Sequence, residues 1–146
     1  MTNEGGIIMR RQDKYPNTAT FQFHNANPKG RFTTDCNIRA ICTALNIPYD
    51  RVVTEMAAFQ CKTGYDCSDS TGIDKYLQSK GWIKHKQPRK EDNTKYTGKE
   101  FCERARAYEN YIANIGGNHI VAIVDGKVHD TWDCTNKCIG NYWTKP

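Results

Sequence analysis

The chain lacks any apolar run long enough to cross a membrane. A spanning helix needs roughly 18 such residues, and the longest stretches here are residues 120–124 and the segment around Ile41. No secretory leader is expected from the first residues either. Residues 1–11 offer only Gly-Gly-Ile-Ile-Met before Arg10 and Arg11, which is too short and carries its charge on the wrong side. Nor is there a block of one charge sign. The 21 Lys and Arg are scattered among 16 Asp and Glu, so the net charge of +5 reads first as a solubility feature and gives only slight support to a nucleic-acid partner, which is not expected. There is no internal repeat, low-complexity tract or dividing linker. These absences leave one domain over residues 18–146 with a cytoplasmic location expected. It follows a polar, aperiodic stretch, residues 1–17, that ends in Tyr15-Pro16-Asn17 and is expected to be a flexible arm.

Cysteine is present, but not in a pattern that staples a secreted fold. The seven thiols at 36, 42, 61, 67, 102, 134 and 138 are odd in number and irregularly spaced. Cys61-x5-Cys67 and Cys134-x3-Cys138 do not match the tight knuckles of structural zinc sites. Free thiols are therefore expected, with no metal and no cofactor.

What is there divides into helices followed by strands. Residues 18–24 alternate Phe21 and Phe23 with polar neighbours, as a half-buried strand does, and the turn-rich Asn25-Ala26-Asn27-Pro28-Lys29-Gly30 follows. Ile38, Ile41, Ala44 and Leu45 fall at helical spacing over 36–45, with Thr34 or Asp35 as N-cap. Pro48-Tyr49-Asp50 opens a second helix over 51–59. A third spans 68–80, with Gly81 at the left-handed C-terminal position. Residues 84–96 read as a solvated connection. Thr97 and Glu100 form a capping-box pattern that starts a helix through about Ala107. Residues 119–124, Asp125-Gly126 and 127–132 then read as a type I′ hairpin, and 138–143 as a last strand. This order implies an α+β fold, N-terminal helices packed on a C-terminal antiparallel sheet.

Two of these placements carry chemistry. Cys36 sits in the first turn of a helix, where unpaired backbone N–H groups favour a thiolate and the Cys36 N–H can serve as an oxyanion donor. In the hairpin, a two-residue loop makes opposed residues sum to 251, so Asp130 faces Val121 and lies diagonal to His119 on one face. His129 and Asp133 fall on the other face. A base oriented by a carboxylate is what a thiol nucleophile needs. Arg39, one turn beyond Cys36, is expected to pair with Asp35 or Glu55 in a structural role. Trp132 and Trp143 read as core and sheet-edge aromatics rather than site residues.

The segments 25–30, Asp35-Cys36-Asn37-Ile38-Arg39-Ala40, Asn118-His119 through Lys127, Asp130-Thr131-Trp132-Asp133 and Tyr142-Trp143 resemble a set of small phage and prophage proteins. Those proteins are similar in turn to the papain-like cysteine peptidase superfamily, including double-glycine leader peptidases, whose order is Cys, His, Asp. The resemblance covers most of residues 21–143. It implies a papain-like fold with Cys36 as nucleophile, His119 as general base and acid, and Asp130 as orienting carboxylate. Papain-like enzymes usually place a Gln six residues before the Cys. That position is Gly30 here, which leaves Asn25, Asn27 or Gln22 as oxyanion candidates.

Together these readings describe a cysteine hydrolase, peptidase or isopeptidase-like, acting on a peptide or protein substrate through a thioester. Transglutaminase-like or arylamine acetyltransferase-like exchange uses the same residue types. The alternative from another class is a phage-encoded protein in the host cytoplasm that keeps the core and acts by binding a host protein.

Overall fold

The computed structural model describes residues 9–105 and 108–146. The elements in order are α1 (Arg11–Lys14), β1 (Phe21–Phe23), α2 (Cys36–Leu45), α3 (Tyr49–Thr63), α4 (Ser70–Ser79), β2 (Ile83–His85), α5 (Gly98–Arg104), β3 (Tyr111–Ile115), β4 (His119–Val124), β5 (Lys127–Asp130) and β6 (Ile139–Thr144). The α+β class expected from the sequence holds. No helix among the described residues is long and apolar enough to cross a membrane.

The helices start and stop where local chemistry directs. α2 begins at Cys36 and ends on Asn46 in the left-handed region. α3 begins two residues earlier and runs four residues further than the apolar spacing indicates, to a left-handed Gly64. At the end of α4 the N–H groups of Gly81 and Trp82 donate to the Gln78 and Leu77 carbonyls, the paired bonds of a Schellman motif. The Thr97–Glu100 capping box is present in both directions. α5 stops at Arg104, because Ala105 is already extended; residues 106–107 of the expected helix lie outside the described residues.

The sheet departs from the antiparallel C-terminal unit expected. It has six strands in the order β1-β5-β4-β3-β6-β2, and β1 joins β5 in parallel, with Phe23 opposite Asp130. Two strands carried no usable signal. β3 is buried at four of its five positions, and a central strand covered on both faces shows no alternation. β2, placed in the solvated connection by its charge, is a three-residue edge strand paired with β6. Short, lysine-bearing edges of this kind resist further pairing.

One core lies between the sheet and α2, α3 and α4, where Ile41, Val52, Ile73 and Leu77 pack with Ile112, Ala122 and Trp143. A second, on Phe21, Ile115, Val121, Ile123 and Val128, is closed by Cys102 of α5. Residues 1–8 of the expected arm lie outside the described residues. From Arg11 onward the stretch is docked: Arg11 Nε donates to the Thr131 carbonyl at 2.6 Å, and Asn17 Oδ1 accepts from the Phe23 N–H at 2.7 Å.

The β4–β5 register follows the sum of 251, with Ala122 opposite His129 and Val124 opposite Lys127. Asp125 at φ 54° and Gly126 at φ 69° supply the two left-handed positions of a type I′ turn. Substituting Gly126 by Ala forces a Cβ into that conformation and should cost about 1–2 kcal/mol, read as a lower urea midpoint with unchanged m-value.

Candidate active site

Cys36 opens α2, but its N-cap behaves unusually. Asp35 makes no side-chain capping bond. Its buried carboxylate accepts instead from Arg39 Nε at 2.8 Å, Tyr49 Oη at 2.7 Å and Asn27 Nδ2 at 3.2 Å. The N–H groups of the first turn are thus not taken by the capping side chain, and the dipole they carry acts beside the Cys36 sulfur. Cys36 is half-buried, its Sγ 3.5 Å from Asn37 Oδ1.

His119 begins β4 and Asp130 ends β5, so the antiparallel pairing brings them to one end of the sheet, near the start of α2. His119 Nε2 meets Asp130 Oδ2 at 2.5 Å. Asp130 is 1% exposed, and its other oxygen accepts from Arg39 Nη1 at 2.9 Å and from the Thr131 N–H at 2.7 Å. The Cys134 thiol approaches Oδ2 at 3.6 Å. Trp132 lies against the imidazole, ring centroids 5.2 Å apart.

The charges reinforce one another. Burial pushes the Cys36 thiol up, but hydrogen bonds from His119 and the Ile120 N–H, with the charges of His119 and Arg39, bring it below its ordinary value. Burial disfavours the imidazolium at His119, yet hydrogen bonding to Asp130, Cys134 and Cys36 raises it well above an ordinary histidine. Asp130 is pushed up by burial and lowered overall by His119, Arg39 and the Thr131 N–H. The other buried thiols move the opposite way. Burial raises Cys42 and Cys67 to about 11 and Cys102 to about 12, and raises Cys134 as well.

Cys36, His119 and Asp130, singled out in the sequence, are thus brought together. The three oxyanion candidates are engaged elsewhere: Asn27 with Asp35, Asn25 Nδ2 with the Arg31 carbonyl at 3.0 Å, and Gln22 Nε2 with the Phe23 carbonyl at 3.3 Å. Arg39 pairs with Asp35 as expected and not with Glu55, which takes Arg51 and Lys80. Its second partner, Asp130, was not legible because the two lie 91 residues apart. Trp132 touches the imidazole, so its assignment away from the site is corrected; Trp143 is core as expected. Cys67 and Cys134 lie in different cores, and Cys61 and Cys138 are exposed, so the four do not assemble a zinc site. His119, Asp130 and Cys134 do present donor atoms within 4.8 Å of one another. There, however, Asp130 already carries Arg39, a cation that works against a metal ion.

Comparison of the chain with protein-family models, with curated proteins and with solved structures finds no match in any of the three.

Arg39 is 8% exposed between two carboxylates. Replacing it by Met should cost roughly 3–5 kcal/mol by leaving Asp35 buried without a cation and Asp130 with His119 alone, and adding Asp35→Asn should recover part of this in urea unfolding. Asp130 has a depressed folded pKa, so its contribution is full above the unfolded value of about 3.9. It is lost as pH falls through the lower folded value. Wild-type stability should therefore drop below about pH 4 more steeply than that of Asp130→Asn, measured by urea midpoints across pH.

Proposed function

We propose that the protein is a papain-like cysteine hydrolase that cleaves a peptide or isopeptide bond. The observation that carries the reading is geometric: Cys36 opens α2 beside His119, whose Nε2 is held at 2.5 Å by the buried Asp130, and the environment lowers this thiol and raises this imidazole while burial raises Cys42, Cys67, Cys102 and Cys134. Lowering the thiol and raising the imidazole favours a thiolate–imidazolium pair, an activated nucleophile with a proton donor beside it.

His119 Nε2 is held by Asp130, so Nδ1 is the nitrogen left for Cys36. The Cys36 thiolate attacks the carbonyl carbon, forming a C–S bond and an oxyanion beside the Cys36 N–H. His119 gives its proton to the leaving amine as the C–N bond breaks, leaving a thioester. His119 then takes a proton from water, whose oxygen attacks the thioester carbonyl. The C–S bond breaks, releasing the acid and restoring the thiolate–imidazolium pair. Acyl transfer differs only in replacing that water with another nucleophile.

The test is the rate of iodoacetamide labelling at each cysteine from pH 4 to 9, read by peptide mass spectrometry. Cys36 should label fastest in the lower half of the range, because its thiolate persists below the roughly 8.5 of a free thiol. His119→Ala should move that titration upward, and Asp130→Asn should move it less. If Cys36 reacts no faster than Cys61 or Cys138, the hydrolase reading fails and docking onto a host protein becomes the better account.

A further inference from the structure

The residues that follow Cys36 and His119 in the chain border a surface that the chemistry above does not use. Asn37, whose Oδ1 lies by the Cys36 sulfur, and Ile120, whose N–H also faces that sulfur, both line a depression of about 580 Å³. Its walls come from the start of α4 and from the β3–β4 turn, and include Ser68, Ser70, Asn114 and Asn118. Lys84, Asn114, Gly117 and Asn141 also line a second depression of about 670 Å³, so the two form one continuous cleft. The second is bordered by Lys84, Lys86 and Lys95, and no carboxylate lines it.

The acids of the first depression are occupied internally. Asp74 accepts from Trp143 Nε1 and from Gln78 Nε2, each at 2.9 Å, and Asp69 accepts from the Gly72 N–H at 2.6 Å. Lys84 Nζ stands 3.8 Å from Asp74. Lys86 and Lys95 are exposed and make no ion pair among the described residues. The cleft therefore runs from Asn37 and Ile120, the neighbours of Cys36 and His119, past amides, hydroxyls and the carboxylates of Asp69 and Asp74, to Lys84, which faces Asp74, and to Lys86 and Lys95, which are open to a ligand.

We propose that this cleft selects an acidic peptide, whose polar chain lies along the Asn and Ser walls and whose carboxylates meet Lys84, Lys86 and Lys95. The proposal rests on the hydrolase reading and names its substrate class. Exposed charges gain modestly from each pair, but Lys86 and Lys95, which have no ion-pair partner among the described residues, act together with Lys84, which also faces Asp74, on orientation and on encounter rate.

The test uses two arms. In wild type, acetyl-tetrapeptide vinyl methyl esters differing only in Glu, Gln or Lys side chains are timed against Cys36. The Glu set should label about tenfold faster than the Lys set at low salt, and the advantage should shrink as added salt shortens the screening length to about 10 Å at 0.1 M. Lys86→Glu/Lys95→Glu should abolish or reverse the order while leaving iodoacetamide labelling of Cys36 unchanged. In the second arm, a fluorescein-labelled Glu-rich peptide is titrated into Cys36→Ala and read by anisotropy, so that binding is seen without chemistry. Equal labelling and binding of the Glu and Lys peptides would overturn the proposal, as would a preference that survives the charge reversal. Equal competition by a single-stranded oligonucleotide of matched charge would also overturn it, by making the lysines a general anion patch. Loss of Cys36 activation with the peptide preference intact would overturn the hydrolase reading alone.

Discussion

A guanidinium taken out of water has to be matched on every side, and Arg39 is matched by two carboxylates at once. Nε holds Asp35, the residue before Cys36, and Nη1 holds Asp130, the partner of His119. Each acid then does a second task. Asp35 ties in Tyr49 of α3 and Asn27 of the loop after β1, and Asp130 orients His119. One side chain thus locks the start of α2 to the end of β5, and the distance between thiol and imidazole follows from that lock. Such a cluster is no net gain over apolar packing, because desolvation of the ions consumes most of the attraction. What it supplies is position, since losing any member strands charge in the interior.

The same geometry separates one thiol from the rest. Burial alone raises a thiol's pKa, and it does so at Cys42, Cys67 and Cys102. Cys36 is also half-buried, yet it faces the His119 ring, the Ile120 N–H and the Arg39 charge. Cys134 also neighbours His119, but burial, with the Asp130 carboxylate 3.6 Å away, raises it. Two thiols near one imidazole are therefore shifted in opposite directions by their burial and by the charges beside them.

The sheet serves the site in two ways. Its β4–β5 hairpin brings the base and its carboxylate to one end, and β3 and β6 extend away from that end as the floor of a polar cleft, through Asn114 and Asn141. His119, Asp130 and the cleft floor therefore sit on the same hydrogen-bonded scaffold. Its central strands are buried on both faces and are among the last parts expected to open.

Local chemistry made much of this readable from residues alone. The helix beginning at Cys36, the capping box at Thr97, the Asp125-Gly126 turn and the pairing of His119 with Asp130 all follow from interactions within a dozen residues, where spacing dictates geometry. Long-range contacts left no such trace. The parallel addition of β1, the strand at Tyr111–Ile115 and the reach of Arg39 to Asp130 depend on segments far apart in the chain, and no local period records which of them will meet. The amides Asn25, Asn27 and Gln22 show the same limit: the sequence places them before the nucleophile, but competing carbonyls and carboxylates decide where they point. The sequence by itself determined which groups could react. The tertiary structure decided which are charged and held in place, because burial and the partner across the fold set the cost of each ionic state.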